Sequence, residues 1–141
     1  MMAGGNFTHK AQQAILKAQS EAQQKGQQQI DALHLLHSLL SQQESVVLVL
    51  LSKIGADVQD LNKKTETALN FLPAASTPQN LNQLYLTQDM AKVLEMARQE
   101  SIKMGDDFIS VEHLFLALLL VETKAKEVLD KTVLLKSGKS E

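Results

Sequence analysis

Ile30-Asp31-Ala32-Leu33-His34-Leu35-Leu36 and Ile109-Ser110-Val111-Glu112-His113-Leu114-Phe115 lie 79 residues apart, and each sets a cap-forming residue three places before a histidine and an aliphatic run. Extending that register outward lays residues 7–40 over residues 86–119 without a gap. Nine of the 34 pairs are identical, Thr8/Thr87, Glu21/Glu100, Gly26/Gly105 and His34/His113 among them. Self-similarity over so long a period marks a duplicated supersecondary unit.

Each unit opens on a threonine, Thr8 or Thr87, whose hydroxyl can accept from the first turn of a helix. Ala11, Ile15, Ala18 and Ala22 follow Thr8 at helical spacing, and Met90, Leu94, Ala97 and Ser101 follow Thr87. Gly26 and Gly105 stand where a left-handed stop is expected. Asp31 and Ser110 then cap a second helix in each unit. The first unit continues with a helix over 46–54 ended by Gly55, and with one capped by Asp57 through Val58, Leu61, Thr65 and Leu69. The second continues only with a short helix near 124–131. No segment reads as a strand. The expected fold is all-α, a pseudo-twofold bundle of two four-helix repeats with seven to eight helices around one shared core.

The boundaries follow from composition. Residues 1–5 are a disordered start or an expression remnant, 6–72 the first repeat, and 86–135 the second. Residues 73–85 are a linker, since this stretch begins at Pro73, contains Pro78 and carries no charge. Residues 136–141 are a polar tail expected to be disordered.

Composition narrows the function. The chain has 141 residues, 44% of them hydrophobic, enough for one cored domain. A net charge of −2 with no block of like charge gives nothing to draw in nucleic acid or an anionic membrane. The absence of cysteine removes disulfides, thiol catalysis and thiolate metal sites together. The apolar runs 46–51 and 114–121 fall far short of the roughly 20 residues of a membrane span. Met1-Met2-Ala3-Gly4-Gly5 has neither the charged region nor the apolar core of a signal peptide. A cytoplasmic location is the resulting expectation.

No catalytic constellation emerges. Gly138-Lys139-Ser140 copies only the end of a phosphate-binding loop, without its first glycine or a preceding strand. His9, His34, His37 and His113 lack the cysteine or carboxylate partners of a metal set, so neither a metal nor another cofactor is expected. His34 and His113 hold equivalent places and read as structural residues closing a helix start. Asp106-Asp107 reads as a solvated turn and Thr8 first as a cap. Glu112 stands apart: a carboxylate near a helix N-terminus is favoured by the dipole, yet its repeat-mate is Leu33. The charge therefore serves either the helix or a partner.

Phe7-Thr8-His9-Lys10-Ala11, the two stretches quoted first, and Gly105-Asp106-Asp107-Phe108 together resemble the duplicated Clp N-domain family. Ala68-Leu69-Asn70-Phe71-Leu72-Pro73 and Leu84-Tyr85-Leu86-Thr87 are similar to its ClpB branch in particular. The resemblance covers roughly residues 6–132. It implies the N-terminal domain of a hexameric AAA+ disaggregase that engages unfolded or aggregated protein at an apolar groove between the repeats. ATPase modules would then lie elsewhere in a longer chain, and no hydrolysis would belong to this one. Carried over by position, Thr8 and Glu112 match residues tied to client engagement, and Leu94, Asp106 and His113 fall at or near the groove. Leu33, His37 and Ser38 depart from the family's commoner Glu, Leu and Ala. An adaptor-docking N-domain of the ClpC or ClpA type is the alternative, including one that reads phosphoarginine. That site uses a glutamate in each repeat, and Leu33 stands where the first would be.

Overall fold

The computed structural model describes residues 6–43, 45–74 and 84–139, with side-chain surroundings through Thr132. Seven helices stand among these residues: α1 His9–Gln24, α2 Ala32–Ser41, α3 Val46–Lys53, α4 Val58–Asn70, α5 Gln88–Lys103, α6 Val111–Leu120 and α7 Lys124–Lys139. The first four form one repeat and the last three the other.

Local chemistry fixes most of the ends. Thr8 Oγ1 accepts from the Ala11 N–H at 3.2 Å, and Thr87 Oγ1 from the Met90 N–H at 3.0 Å. Ser45 and Asp57 cap α3 and α4 in the same manner. Gly26 and Gly105 take φ of +70° and +75°, which a side chain rarely tolerates, and there the chain reverses out of α1 and α5.

The core is built on α2 and α6. Eight of the ten residues of α2 are buried, the pattern of a helix enclosed on every side. Ala11, Ala14, Ala18 and Ala22 give α1 a flat face that lets α2 approach closely. Ser38 is buried against that face and donates to the Ala14 carbonyl at 2.7 Å, so its hydroxyl is satisfied. Across the halves, α2 packs on α5, α6 and α7, α3 and α1 on α6, and α4 on α7. The shared core that the repeat suggested is therefore present.

Two findings differ from expectation. Short parallel pairings exist: β1 Gln29–Ile30 pairs with β2 Tyr85–Leu86, and Phe7 bridges Ile109. Each pairs the residues before a first helix with those before the second helix of the other repeat. Segments two residues long have no period to read, and their partners lie far off in the chain. Tyr85 thus belongs to β2 rather than to the linker, whose residues 75–83 fall outside the described residues, as do residues 1–5. Secondly, α7 continues to Lys139, beyond both the short helix near 124–131 and the start of the expected tail. No residue between Lys124 and Ser137 breaks a helix, and Lys126 pairs with Asp130 at 2.7 Å one turn on. Residues 140 and 141 lie outside the described residues.

Candidate functional site

The two repeats differ most at the N-termini of their second helices. In both, a histidine closes the capping box. Asp31 donates its backbone N–H to His34 Nδ1 at 2.9 Å, and Ser110 donates to His113 Nδ1 at 2.9 Å. An acceptor Nδ1 places the imidazole proton on Nε2. That proton goes from His34 to Gln27 Oε1 at 2.7 Å and from His113 to Asp106 Oδ2 at 2.9 Å. Gln27 and Asp106 are repeat-mates, so the histidines are structural in the same way. Burial holds the His34 pKa below the usual imidazole value, against the opposing pull of Asp31 and Glu21.

Beyond that shared frame the two ends diverge. Gln27 uses its amide N–H to reach the Leu69 carbonyl at 2.9 Å, tying the first repeat's turn to the end of α4. Asp106 has no such donor, and among the described residues no counterpart of α4 stands over it. Its side chain is 51% exposed while that of His113 is 5% exposed. Leu33 is fully buried, whereas its repeat-mate Glu112 is exposed.

The two cap threonines diverge in the same sense. Thr87 passes its hydroxyl proton to Asp31 Oδ1 at 2.8 Å, across the repeats. Thr8 approaches the second repeat by the equivalent route, its N–H on the Ile109 carbonyl at 2.9 Å. There the equivalent of Asp31 is Ser110, a hydroxyl rather than a carboxylate, whose one proton is shared between two acceptors, Glu112 Oε1 at 3.3 Å and His113 Nδ1 at 3.0 Å. Among the described residues nothing accepts the Thr8 hydroxyl proton. The α1/α6 end thus offers a hydroxyl donor and an exposed carboxylate, and Phe108, two residues before the Ser110 cap, is exposed.

The structure therefore gathers Thr8, Asp106, Glu112 and His113 around the start of α6. Leu94 is on the core side of α5 and 8% exposed. Phe108 was not singled out from the sequence, although its pairing with Gln29 in the repeat register was a signal: an aromatic replaces a glutamine in a turn. Among the described residues no group of three or more His, Asp or Glu comes together to hold a metal ion. No single helix among them is long and apolar enough to cross a membrane.

A duplicated helical domain with capping-box histidines at both repeat centres defines the class, and comparison with known proteins identifies it. The Clp repeat (R) N-terminal domain model matches residues 6–132, and the chain belongs to that family. It is 35% identical over 124 residues to the chaperone protein ClpB of Bacteroides thetaiotaomicron, covering 88% of this chain and 14% of that protein. The ClpB of Propionibacterium freudenreichii is 35% identical over 123 residues, covering 87% and 14%. The chain thus spans about one-seventh of the length of these relatives, all of it in the N-terminal domain and none in ATPase modules.

Among solved structures, the Hsp104 N-terminal domain of Candida albicans superposes with a TM-score of 0.81 at 21% identity, covering 90% of this chain and 81% of that one. The ClpV N-domain of Vibrio cholerae gives 0.74 at 16%, covering 94% and 81%. The ClpD N-terminal domain of Arabidopsis thaliana gives 0.67 at 19%, covering 94% and 90%. These share the fold.

Proposed function

We propose that this domain is the client-binding module of a ClpB-type disaggregase and engages unfolded or aggregated polypeptides at the α1/α6 end. The observation that carries the reading is the asymmetry of the repeats. One cap threonine is closed by Asp31 beside a buried leucine, whereas the other keeps a spare hydroxyl proton beside an exposed glutamate. An extended client backbone offers both C=O and N–H groups, which Thr8 and Glu112 can bond, while apolar client side chains are buried alongside. His113 and Asp106 then support the contact by holding the α6 start in place, and Leu94 supports it from the core side of α5. In a full-length protein the AAA+ modules, assembled as a hexamer in the cytoplasm, would take over the captured chain. No cofactor, nucleic acid or membrane takes part.

Glu112→Ala tests the proposal. Loss of the dipole interaction should cost only about 0.3–1 kcal/mol of stability. Losing a charged hydrogen-bond partner at a desolvated contact typically costs ~1.5–3 kcal/mol, on the order of tenfold to a hundredfold in affinity. Affinity for fluorescein-labelled unfolded casein should fall accordingly while the melting temperature changes little. Unchanged affinity with a large fall in melting temperature would show that Glu112 is only a helix cap.

A further inference from the structure

We infer that the groove between α4 and α7 is a second binding surface, for an acidic polypeptide segment with an apolar anchor residue. This groove is distinct from the α1/α6 end. It has a volume of about 400 Å³ and is lined by Lys63, Lys64, Thr67, Ala68, Phe71, Val128 and Lys131. Phe71 is 83% exposed, more than any other large apolar side chain among the described residues. Its exposure is not fraying. The Phe71 N–H donates to the Ala68 carbonyl at 3.1 Å, the Leu72 N–H to the Leu69 carbonyl at 3.1 Å, and Gln27 holds the Leu69 carbonyl from the turn between α1 and α2. The backbone that carries the ring is thus held in place, so the aromatic side chain is presented to solvent from a fixed point.

The charge around that ring decides the occupant. Three of the seven lining residues are lysines and none is acidic. Only Lys64 is paired, with Asp60 at 2.8 Å. Lys63 and Lys131 have no carboxylate partner among the described residues. In a chain of net charge −2 this is a local reversal of sign. The chain has little of its own to answer it, because outside the described residues its acids are Glu44 and Glu141 alone. The two unpaired lysines, Lys63 and Lys131, beside the apolar surface of Phe71, Ala68 and Val128 suit carboxylates flanking an aliphatic or aromatic side chain. They make too small and too apolar a footprint for a nucleic-acid backbone, which is held by longer basic tracks.

The probe is a short fluorescein-labelled peptide with Asp and Glu on both sides of a Leu-Phe pair, titrated by anisotropy against this chain. Binding should weaken several-fold as salt rises past the point where the screening length is about 8 Å. Phe71→Ala should lower affinity about tenfold or more, and so should Lys63→Glu with Lys131→Glu. All three positions are exposed, so melts of these variants should match the parent. Glu112→Ala should leave this peptide's affinity unchanged, which separates a failure here from a failure at the α1/α6 end. Equal binding of a peptide with Asn and Gln in place of the acids would overturn the proposal. A concentration-dependent dimer that Phe71→Ala dissolves would also overturn it, by assigning the groove to a second copy.

Discussion

His34 is a buried imidazole whose two nitrogens are both committed, Nδ1 as acceptor and Nε2 as donor. A second proton must go to Nδ1, where it meets the Asp31 N–H instead of a lone pair. Burial therefore lowers the folded-state pKa, while the unfolded chain titrates near the ordinary value of about 6.5. A base with a depressed folded pKa contributes its full share of stability above the unfolded pKa. As pH falls below about 6.5 the unfolded state takes a proton that the folded state refuses, and stability declines until the folded pKa is reached. Urea unfolding between pH 7.5 and pH 5 should show that decline. In His34→Ala the same range should be flatter, although the variant is less stable at pH 7.5 because it leaves Gln27 Oε1 and the Asp31 N–H without their histidine partner. An unchanged slope would mean that the decline comes from other groups. The structural role of His34 was legible from its spacing behind Asp31 and its recurrence at His113. The role of Gln27 was not, since it joins this histidine to α4 across 42 residues of chain.

At the scale of elements, the helices were legible and their junctions were not. Caps, stops and apolar spacing act within one or two turns, so Thr8, Asp31, Asp57 and Thr87 announce themselves locally. The parallel pairs β1–β2 and Phe7–Ile109 depend on neighbours brought together only by the fold. The site divides in the same way. Glu112 stood out as an acid opposite a leucine, but the burial of Leu33 and the spare hydroxyl of Thr8 depend on what covers each helix start. That difference gives a direct comparison between the two caps. Thr8→Val should cost about 1 kcal/mol, the usual worth of an N-cap. Thr87→Val should cost about 2–3 kcal/mol, because it also strips a donor from the buried carboxylate of Asp31. Equal losses in urea titrations would show that the Thr87–Asp31 bond adds nothing net.

The whole molecule is held by contacts that cross between its halves, and this sets how it unfolds. Each repeat resembles a unit that could stand alone, and four helices with their caps are present in the first. Yet α2 is enclosed only because α5, α6 and α7 complete its surroundings, and α4 covers α7 rather than a surface of its own repeat alone. Leu33, Leu36, Leu114 and Leu118 are fully buried in one continuous cluster. Separating the halves would return much of that surface to water, at roughly 1.5–3 kcal/mol for each large side chain exposed. A domain of this size has only ~5–15 kcal/mol of net stability, so losing a few such residues leaves neither half with a folded state. The prediction is one cooperative transition: far-ultraviolet circular dichroism and Tyr85 fluorescence should report the same urea midpoint. Leu118→Ala should lower that midpoint by an amount equivalent to about 2–5 kcal/mol without splitting the transition. A peptide comprising residues 6–74 should show little helix by itself. Two separated transitions, or a strongly helical isolated first repeat, would mean that the repeats fold independently and merely touch.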